Sequence, residues 1–460
     1  MNRIWIVVLS IAASLPAQAA RPVVAITDVA VVDVGRGRAI GPRTVLIEDG
    51  RIASIDAPAS ARIPDGAERI DGKGRFLIPG LVDLHVHLFN NASKRPPNTW
   101  TFPLFVANGI TGVREMAGTP QSMATVKAWR KAFDDGTLVA PRVLAAGVVD
   151  WGSSPEEAKQ RVDEAADAGA DFIKVFSELP EAEWRAGLAE AERRSLPLLG
   201  HVPAGVTLLD AARAGQHDNE HLMQAFEACS TIERAMLDER QGLAGNELGE
   251  RRDAEESRVL DAFDRRTCER VARELAKTHQ AQVPTLVLAY VESQPARPAA
   301  DDPRWKYLRA DERARWLRIA ETLTTDERAV AARRWAVARR IAASFHAAGV
   351  PLLAGTDTPM PNVYPGWSLH DELERLVDSG LSPAEALRAA TLGPATLLGI
   401  ADRSGTVAAG KRADLVLLDA DPLRDIRNTR RIDAVVLDGR PFTREALDGL
   451  LSDAAKAAAN

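Results

Sequence analysis

The chain has few cysteines and no excess of basic residues, and these two features exclude several classes of protein. Its 460 residues include only two cysteines, which excludes a disulfide-dense scaffold and gives no cysteine-based zinc site. The formal net charge is −6, with Lys and Arg spread among Asp and Glu, so a nucleic-acid partner is not expected. Hydrophobic residues form 46% of the chain, enough to bury a large core. We therefore expect a globular protein with one large domain and a smaller one.

The two cysteines, Cys229 and Cys268, lie in charged segments of helical pattern. An oxidising compartment would permit a disulfide between them. The sequence alone cannot place their Cα atoms within the ~4.4–6.8 Å that a disulfide requires. The pairing is therefore left open by the sequence.

Long apolar runs are also scarce, and the clearest one begins the chain. Asn2 and Arg3 supply a positive start, residues 4–15 are apolar, and residues 17–19 (Ala-Gln-Ala) resemble a cleavage signal. This order predicts a signal peptide over residues 1–19 and a periplasmic or secreted protein, with a buried N-terminal helix as the alternative. The run is short for a membrane span and has no cysteine for lipidation, so no membrane anchor is expected.

Short β-branched runs separated by Gly, Asp and Pro occur near both ends of the chain. They cover residues 20–78 and 399–445 and are typical of β-hairpins. We expect these two segments to form one small β-sandwich domain around a central insertion. Residues 446–460 are predicted to be a C-terminal tail.

The central segment, residues 79–398, alternates apolar runs of strand length with amphipathic helical stretches. The runs are 80–87, 109–115, 139–149, 171–176, 197–202, 217–221, 282–288 and 350–357. Eight such repeats predict an α/β fold, a (β/α)8 TIM barrel whose chemistry lies at the C-terminal ends of the strands. Helical insertions at about 222–281 and 291–347 predict a lid over the barrel mouth, with a homo-oligomer interface as the alternative.

Five residues of metal-ligand type stand at the predicted C-terminal ends of four of these strands. They are His85, His87, His201, His221 and Asp357, and a lysine, Lys174, accompanies them. His85 and His87 are two residues apart, so both face the same side of a strand. Neutral imidazole is the commonest ligand of zinc-like ions, although any single histidine is as well explained by a core hydrogen bond. Their shared position at one end of one barrel predicts a metal centre.

Lys174 is flanked by Ile173, Val175 and Phe176, an apolar setting in which an ammonium tends to lose its proton. A neutral amine beside two cations can react with carbon dioxide to form a carbamate, whose oxygens can bridge metals. The alternative is a lysine that reaches a carboxylate at the strand end. The first interpretation predicts a carboxylated lysine.

These residues together resemble the amidohydrolase superfamily. The similarity lies in His-x-His on the first strand, lysine on the fourth, single histidines on the fifth and sixth, and aspartate in a Gly-Thr-Asp eighth strand. Residues 78–83, 391–395 and 405–415 also look like segments of that family, and the resemblance spans nearly the whole chain after the leader. It implies two divalent metal ions, taken as zinc. His85, His87 and Asp357 would hold one ion, His201 and His221 the other, and carboxylated Lys174 would bridge them.

The resemblance also implies the reaction. Residues 112–115 and 219–221 are most similar to the prolidase-like dipeptidases, which implies hydrolysis of small amides such as dipeptides or N-acyl amino acids. Asp357 would act as general base and then general acid. A lactonase or esterase on the same scaffold stays open, whereas Lys174 argues against a deaminase. A catalytically dead scaffold is the non-enzymatic alternative.

Three residues follow predicted strands closely enough to contact a substrate. Tyr290 follows the seventh strand and could steady an oxyanion or a substrate carboxylate. Trp151 follows the third strand and could line an apolar pocket, and His370 follows the eighth. Packing roles are the alternative for all three.

Overall fold

The computed structural model describes residues 21–89, 96–149, 154–294, 301–322 and 324–459. The predicted signal peptide, residues 1–19, and the predicted substrate contact Trp151 lie outside the described residues. Among the described residues, no helix combines the length and the hydrophobicity needed to cross a membrane.

Strands and helices alternate through the centre of the described chain. The strands are β1 (Val24–Asp33), β2 (Arg38–Glu48), β3 (Arg51–Asp56), β4 (Glu68–Asp71), β5 (Phe76–Pro79), β6 (Leu81–Val86), β7 (Ile110–Glu115), β8 (Arg142–Val149), β9 (Phe172–Val175), β10 (Leu198–Gly200), β11 (Asp218–Glu220), β12 (Ala281–Val283), β13 (Leu415–Leu418), β14 (Ile432–Leu437) and β15 (Arg440–Thr443). The α-helices are α1 (Phe102–Ala107), α2 (Met123–Asp134), α3 (Pro155–Ala168), α4 (Glu181–Arg193), α5 (Leu208–Ala214), α6 (Ala225–Ala228), α7 (Glu233–Glu239), α8 (Gly245–Asp261), α9 (Arg265–Leu275), α10 (Leu286–Ser293), α11 (Ala310–Thr322), α12 (Thr325–Ala348), α13 (Trp367–Asp378), α14 (Pro383–Ala389), α15 (Leu392–Leu397) and α16 (Arg444–Ala459).

The two ends of the chain build one eight-stranded sheet. Its order is β15-β14-β13-β5-β1-β2-β3, with β4 beside β1. The junction is antiparallel: β13 pairs with β5 so that Leu415 lies opposite Pro79 and Leu418 opposite Phe76. Alternate residues of β1, including Val24 and Ile26, are buried in a core that β13 shares. The N-terminal and C-terminal flanks therefore depend on each other for their core.

Residues 446–459 of the predicted C-terminal tail are helical. Residues 444–459 form α16, which packs against α1. The helix places Leu447 and Ala458 in buried positions, and this burial is the physical reason that the segment is ordered.

The centre contains the expected parallel strands. A five-stranded parallel sheet runs in the order β10-β9-β8-β7-β6, and β11 pairs in parallel with β12. A backbone bond from His217 N, just before β11, to Leu198 O of β10 links the two groups. The prediction of an α/β fold is confirmed, and the C-terminal ends of these strands meet on one side.

Two of the predicted strand runs differ from the structure. Run 282–288 ends as a strand at Val283, because Thr285 adopts a left-handed φ of 45° and α10 then begins. Run 350–357 forms no continuous strand. It is joined to its neighbours by isolated bridges, Gln282 with Leu352 and, just beyond its end, Val86 with Thr358.

The two helical insertions are present. The first contains α6 to α9, and the second contains α11 and α12, with α10 preceding them. A disulfide joins Cys229, at the end of α6, to Cys268 in α9, which settles the pairing that the sequence left open. The 24-residue helix α12 begins with a capping box formed by Thr324 and Glu327 and ends at Gly349, whose φ is 84°. Local signals in the sequence thus fix both ends of α12, the longest helix of the two insertions.

Candidate metal centre

A buried ionic network holds the first histidine of the centre in place. Arg114 is fully buried and donates from Nη1 to Asp218 Oδ2 (2.6 Å), from Nη2 to Glu220, and from Nε to the Leu84 carbonyl (2.6 Å). The other oxygen of Glu220 lies 2.6 Å from Nδ1 of His85. This contact occupies Nδ1 and leaves Nε2 of His85 as the nitrogen that faces the centre.

Asp83 joins β6 to the segment that carries Asp357. Its carboxylate accepts hydrogen bonds from Thr356 Oγ1 (2.7 Å), from Thr356 N (3.0 Å) and from His85 N (3.2 Å). Burial raises the pKa of Asp83 to about 7. The backbone amide of Asp357 also donates to the His85 carbonyl at 2.8 Å. These bonds fix the separation of His85 and Asp357.

Four imidazoles and one carboxylate form a continuous cluster. Ring centroids are 5.2 Å apart for His85 and His87, 4.5 Å for His85 and His221, and 5.1 Å for His201 and His221. Asp357 Oδ1 lies 2.8 Å from Nε2 of His87 and 3.4 Å from Nε2 of His85. His85, His221 and Asp357 offer donor atoms that all lie within 4.8 Å of one another, close enough to bind metal.

His221 is oriented by a hydroxyl group. Its Nδ1 lies 2.7 Å from Thr285 Oγ1, at the point where the chain enters α10. Both residues have positive φ angles, 55° for His221 and 45° for Thr285. Such angles are strained for residues with side chains, and strained backbone is often found at functional sites. The contact leaves Nε2 of His221 available as a ligand.

Lys174 and His201 carry buried nitrogen atoms with no hydrogen-bond partner in the described structure. These atoms are Lys174 Nζ and His201 Nδ1. The lysine is fully buried, and its Nζ lies 5.1 Å from the centre of the Phe176 ring. Gly200 makes room for it: a Cβ at that position would lie 2.4 Å from the Lys174 Cδ atom, and its φ is 113°. An unpartnered buried polar atom is costly, so these two atoms fit a centre that is completed by a bound group.

The charge states of most of these groups also fit a metal centre; His87 differs, since, although burial opposes this, Asp357 raises its pKa. Burial lowers the pKa of His85 and His201 well below the usual value, that of His221 to about 3 and that of Lys174 to about 8. Although burial opposes it, His85 and His221 hold the pKa of Asp357 below its usual range. Neutral imidazoles and an ionised carboxylate are the forms that coordinate divalent ions.

A cavity of about 340 Å³ opens above these residues, and His201, His221 and Asp357 belong to its floor. Its wall comes from helices of the two insertions: Arg252 lies on α8 and Arg334 on α12. Apolar side chains from the segment after β11 and from α8 and α10 also line it, together with the acidic residues Glu227, Asp253, Glu256 and Glu292. The cavity is of the size that takes a small molecule.

The structure does not bring Tyr290 to this cavity. Its ring packs against Trp335, with centroids 5.4 Å apart, and the guanidinium of Arg375 lies 4.4 Å from its centre. Tyr290 is absent from the residues that line the cavity. On α10 its ring thus has packing contacts, and the expected substrate contact stays a prediction.

His370 is likewise placed away from the centre. Its Nδ1 lies 2.9 Å from Thr429 Oγ1 and its Nε2 lies 3.0 Å from the Asn108 carbonyl oxygen. The ring is buried, and both nitrogens are used within the fold. His370 therefore joins α13 to the C-terminal flank, and both of its ring nitrogens have partners other than a substrate.

Two residues of the site, Thr285 and Arg252, are not evident from the sequence. Thr285 follows Pro284 at the end of the predicted seventh strand, which is a weak signal for a residue at the strand ends. Arg252 lies in a charged helix where many arginines look alike, and no signal distinguishes it.

Comparison with known proteins agrees with this geometry. The family profile described as "Amidohydrolase family" matches residues 293–442. The dihydroorotase of Mycobacterium tuberculosis is 32% identical over 139 residues, which are 29% of this chain and 31% of that protein. The chain thus matches about a third of the length of this curated relative.

Solved structures cover more of the chain. A structure described as "Bottromycin amidohydrolase" superposes with a TM-score of 0.72 and 26% identity over 95% of this chain and 90% of that one. A putative prolidase from Bifidobacterium longum gives a TM-score of 0.66 at 23% identity, over 95% and 99%. The second likeness shows a shared fold.

Proposed function

We propose that this chain, which belongs to the amidohydrolase superfamily, is a metal-dependent hydrolase that cleaves amide or peptide bonds in small molecules. Dipeptides and N-acyl amino acids are the substrates we favour. One observation carries the proposal: four imidazoles, a carboxylate and a buried unpartnered lysine lie together, and three of these residues, His201, His221 and Asp357, line a cavity sized for a small ligand.

The ligands divide between two divalent ions, which we take to be zinc. His85, His87 and Asp357 would hold one ion, His201 and His221 would hold the other, and a carboxylated Lys174 would bridge them. The unpartnered Nζ of Lys174 supports the carboxylation, because a carbamate would give this buried atom a bonded role. When bound, such ions lower the pKa of a coordinated water and polarise the scissile carbonyl.

The protein's own groups handle the proton and the geometry. Asp357 accepts the proton of the attacking water at its carboxylate and donates it to the departing nitrogen. Glu220 and Thr285 keep the rings of His85 and His221 from turning. The lid helices α8 and α12 shield the cavity from bulk water and limit substrates to small molecules.

We further propose that β6 to β12 and residues 350–357 form a closed eight-stranded barrel. The bridges that residues around 350–358 make to Val86 and to Gln282, on opposite sides, support closure. We also propose that the sheet of the flanks folds into the predicted sandwich, because it encloses a core separate from that of the barrel.

Export is the last part of the proposal. The charge and hydrophobicity of residues 1–19 favour a signal peptide. The disulfide between Cys229 and Cys268 favours an oxidising compartment, since such bonds are rare where thiols are kept reduced.

The test is amine release by the purified protein, loaded with zinc in bicarbonate buffer, across dipeptides and N-acyl amino acids varied on both sides of the amide. We expect hydrolysis of some members by the wild type and strongly reduced hydrolysis by Asp357→Asn. If a protein with two bound metals cleaves no member, the amide proposal is wrong, and a panel of lactones and esters becomes the next test.

A further inference from the structure

The cavity wall contains two arginines whose charges are balanced in different ways. Arg334 donates from Nη2 to Glu256 Oε2 (2.6 Å), from Nε to the other oxygen of Glu256, and from Nη1 to Glu292 Oε2 (2.8 Å). Two carboxylates on two other helices therefore occupy its guanidinium. Arg334 has little capacity left for an anionic ligand.

Arg252 has weaker partners. Its Nη1 donates to Ser177 Oγ (2.6 Å), and its Nη2 donates to Asp253 Oδ1 (2.9 Å), which Nε also contacts at 3.2 Å. Asp253 is the next residue on the same helix, and its side chain is 72% exposed. Glu178 lies 3.9 Å away, beyond hydrogen-bond distance. An exposed ion pair contributes little, so an incoming carboxylate can displace Asp253 at small cost.

The position of Arg252 connects it to the metal centre. Ser177, which anchors the guanidinium, is buried three residues beyond Lys174 on the same strand end. Met223 Sδ, another atom of the cavity wall, lies 3.8 Å from Nη1. Arg252 lines the same cavity as His201, His221 and Asp357, so a small substrate placed at the centre meets this guanidinium.

We propose that Arg252 binds a carboxylate of the substrate and makes the enzyme specific for amides whose leaving amine is an amino acid with a free carboxylate. This inference rests on the proposed function and narrows its substrate class. A guanidinium offers a planar pair of donors that matches a carboxylate, and the bond strengthens where water is excluded. Asp253 then turns to solvent, where it is already largely exposed.

The test compares two substrates that differ only in the carboxylate. Leu-Leu and N-acetyl-leucine are each paired with the analogue in which leucinol replaces the C-terminal leucine, so the scissile amide is kept. For the wild type we expect kcat/KM to be about 30–100-fold higher for the acids, the range of a charge-assisted hydrogen-bonded pair. Arg252→Met should remove this preference by lowering kcat/KM for the acids toward the value for the alcohols. Arg252→Lys should restore part of it, because it keeps the charge and loses the planar fork.

Arg251→Met is the matched control, because Arg251 is the preceding residue, is 48% exposed and does not line the cavity. It should leave both substrates unaffected. Equal turnover of acids and alcohols, or an equal loss of both in Arg252→Met, would overturn the inference while the hydrolase proposal stands. If neither pair is cleaved, the hydrolase proposal fails for these substrates. Calorimetric titration of Leu-Leu still decides the role of Arg252, since binding that Arg252→Met leaves unchanged rejects it.

Discussion

The strand ends that form the cavity floor and the helices that form its wall differ in how their charges are held. On the floor, Arg114 is fully buried and bound to two buried carboxylates, Asp218 and Glu220. On the wall, Arg252 is paired with the exposed Asp253. A buried charge must keep its partner, whereas a solvated one can exchange it. The floor thus holds one geometry, and so does Arg334 on the wall, whereas Arg252 can exchange its exposed partner.

The largest effect is expected on kcat, at the floor residue that transfers the proton. Asp357→Asn should lower kcat roughly 10²–10⁴-fold, because an amide cannot take and return a proton, while metal content stays close to that of the wild type. Steady-state kinetics and metal analysis on the same sample check this. Asp238→Asn, at a 60% exposed position of α7, is the control and should be fully active. An active Asp357→Asn enzyme would remove this residue from the mechanism.

The next effect is a loss of stability when the buried charge of Arg114 is removed. Arg114→Met leaves Asp218 and Glu220 buried without their partner and should lower the free energy of unfolding by about 3–5 kcal/mol. Urea unfolding measures the loss. Arg258→Met, which breaks an exposed pair with Glu239, should leave the urea midpoint unchanged. Equal losses in the two variants would contradict the difference between floor and wall.

A smaller effect, on zinc affinity, is expected at Thr285, which lies between β12 and α10. Thr285→Val keeps the shape of the side chain but removes the oxygen that contacts His221, so zinc affinity should fall about 10–100-fold. Competition with a chromogenic chelator gives the affinity without reference to activity. Thr322→Val, on the exposed end of α11, should bind zinc like the wild type. Unchanged affinity in Thr285→Val would mean that the hydroxyl does not orient the ring.

The smallest expected effect is on the pH dependence of the free energy of unfolding. Glu372 is buried and accepts a hydrogen bond from Val287 N (2.6 Å) at the start of α10, and burial raises its pKa to about 8. The folded state therefore holds this proton more tightly than the unfolded state. Its contribution to stability is complete below the unfolded pKa, near 4.5, and is lost as pH rises toward 8.

Glu372→Gln removes this proton, so its free energy of unfolding should fall less than that of the wild type between pH 5 and pH 8. The difference in slope should not exceed about 1.4 kcal/mol per pH unit. Urea unfolding at several pH values compares the two proteins, and other titrating groups cancel in the difference. Parallel curves would show that Glu372 does not titrate in this range.

Much of the floor could be predicted from the sequence, because parallel strands bring their C-terminal ends together whatever the helices do. His85 and His87 follow from strand alternation in β6, and Lys174 follows from its apolar neighbours. The superfamily resemblance is confirmed, and the two flanks do share a sheet. Residues 350–357 show where this prediction fails. The apolar run lies beside its expected neighbours but forms only isolated bridges instead of a continuous strand.

The wall could not be predicted, because helix side chains near a cavity depend on how each helix is rotated and tilted. Arg252 and Arg251 are neighbours in one charged helix, yet only the first lines the cavity. Tyr290 follows the seventh strand as expected, but one turn of α10 carries it to Trp335. Sequence distance from a strand end therefore predicts floor residues and fails once a helix intervenes.

The shared sheet of the flanks also constrains the order in which the molecule can be assembled. During synthesis, β5 is made long before its partner β13, and until then its edge offers unpaired backbone groups. Open edges of this kind favour aggregation. Truncations or fusions that disturb β13 and β14 should therefore show their damage at the opposite end of the chain, as insoluble protein with an unprotected β5.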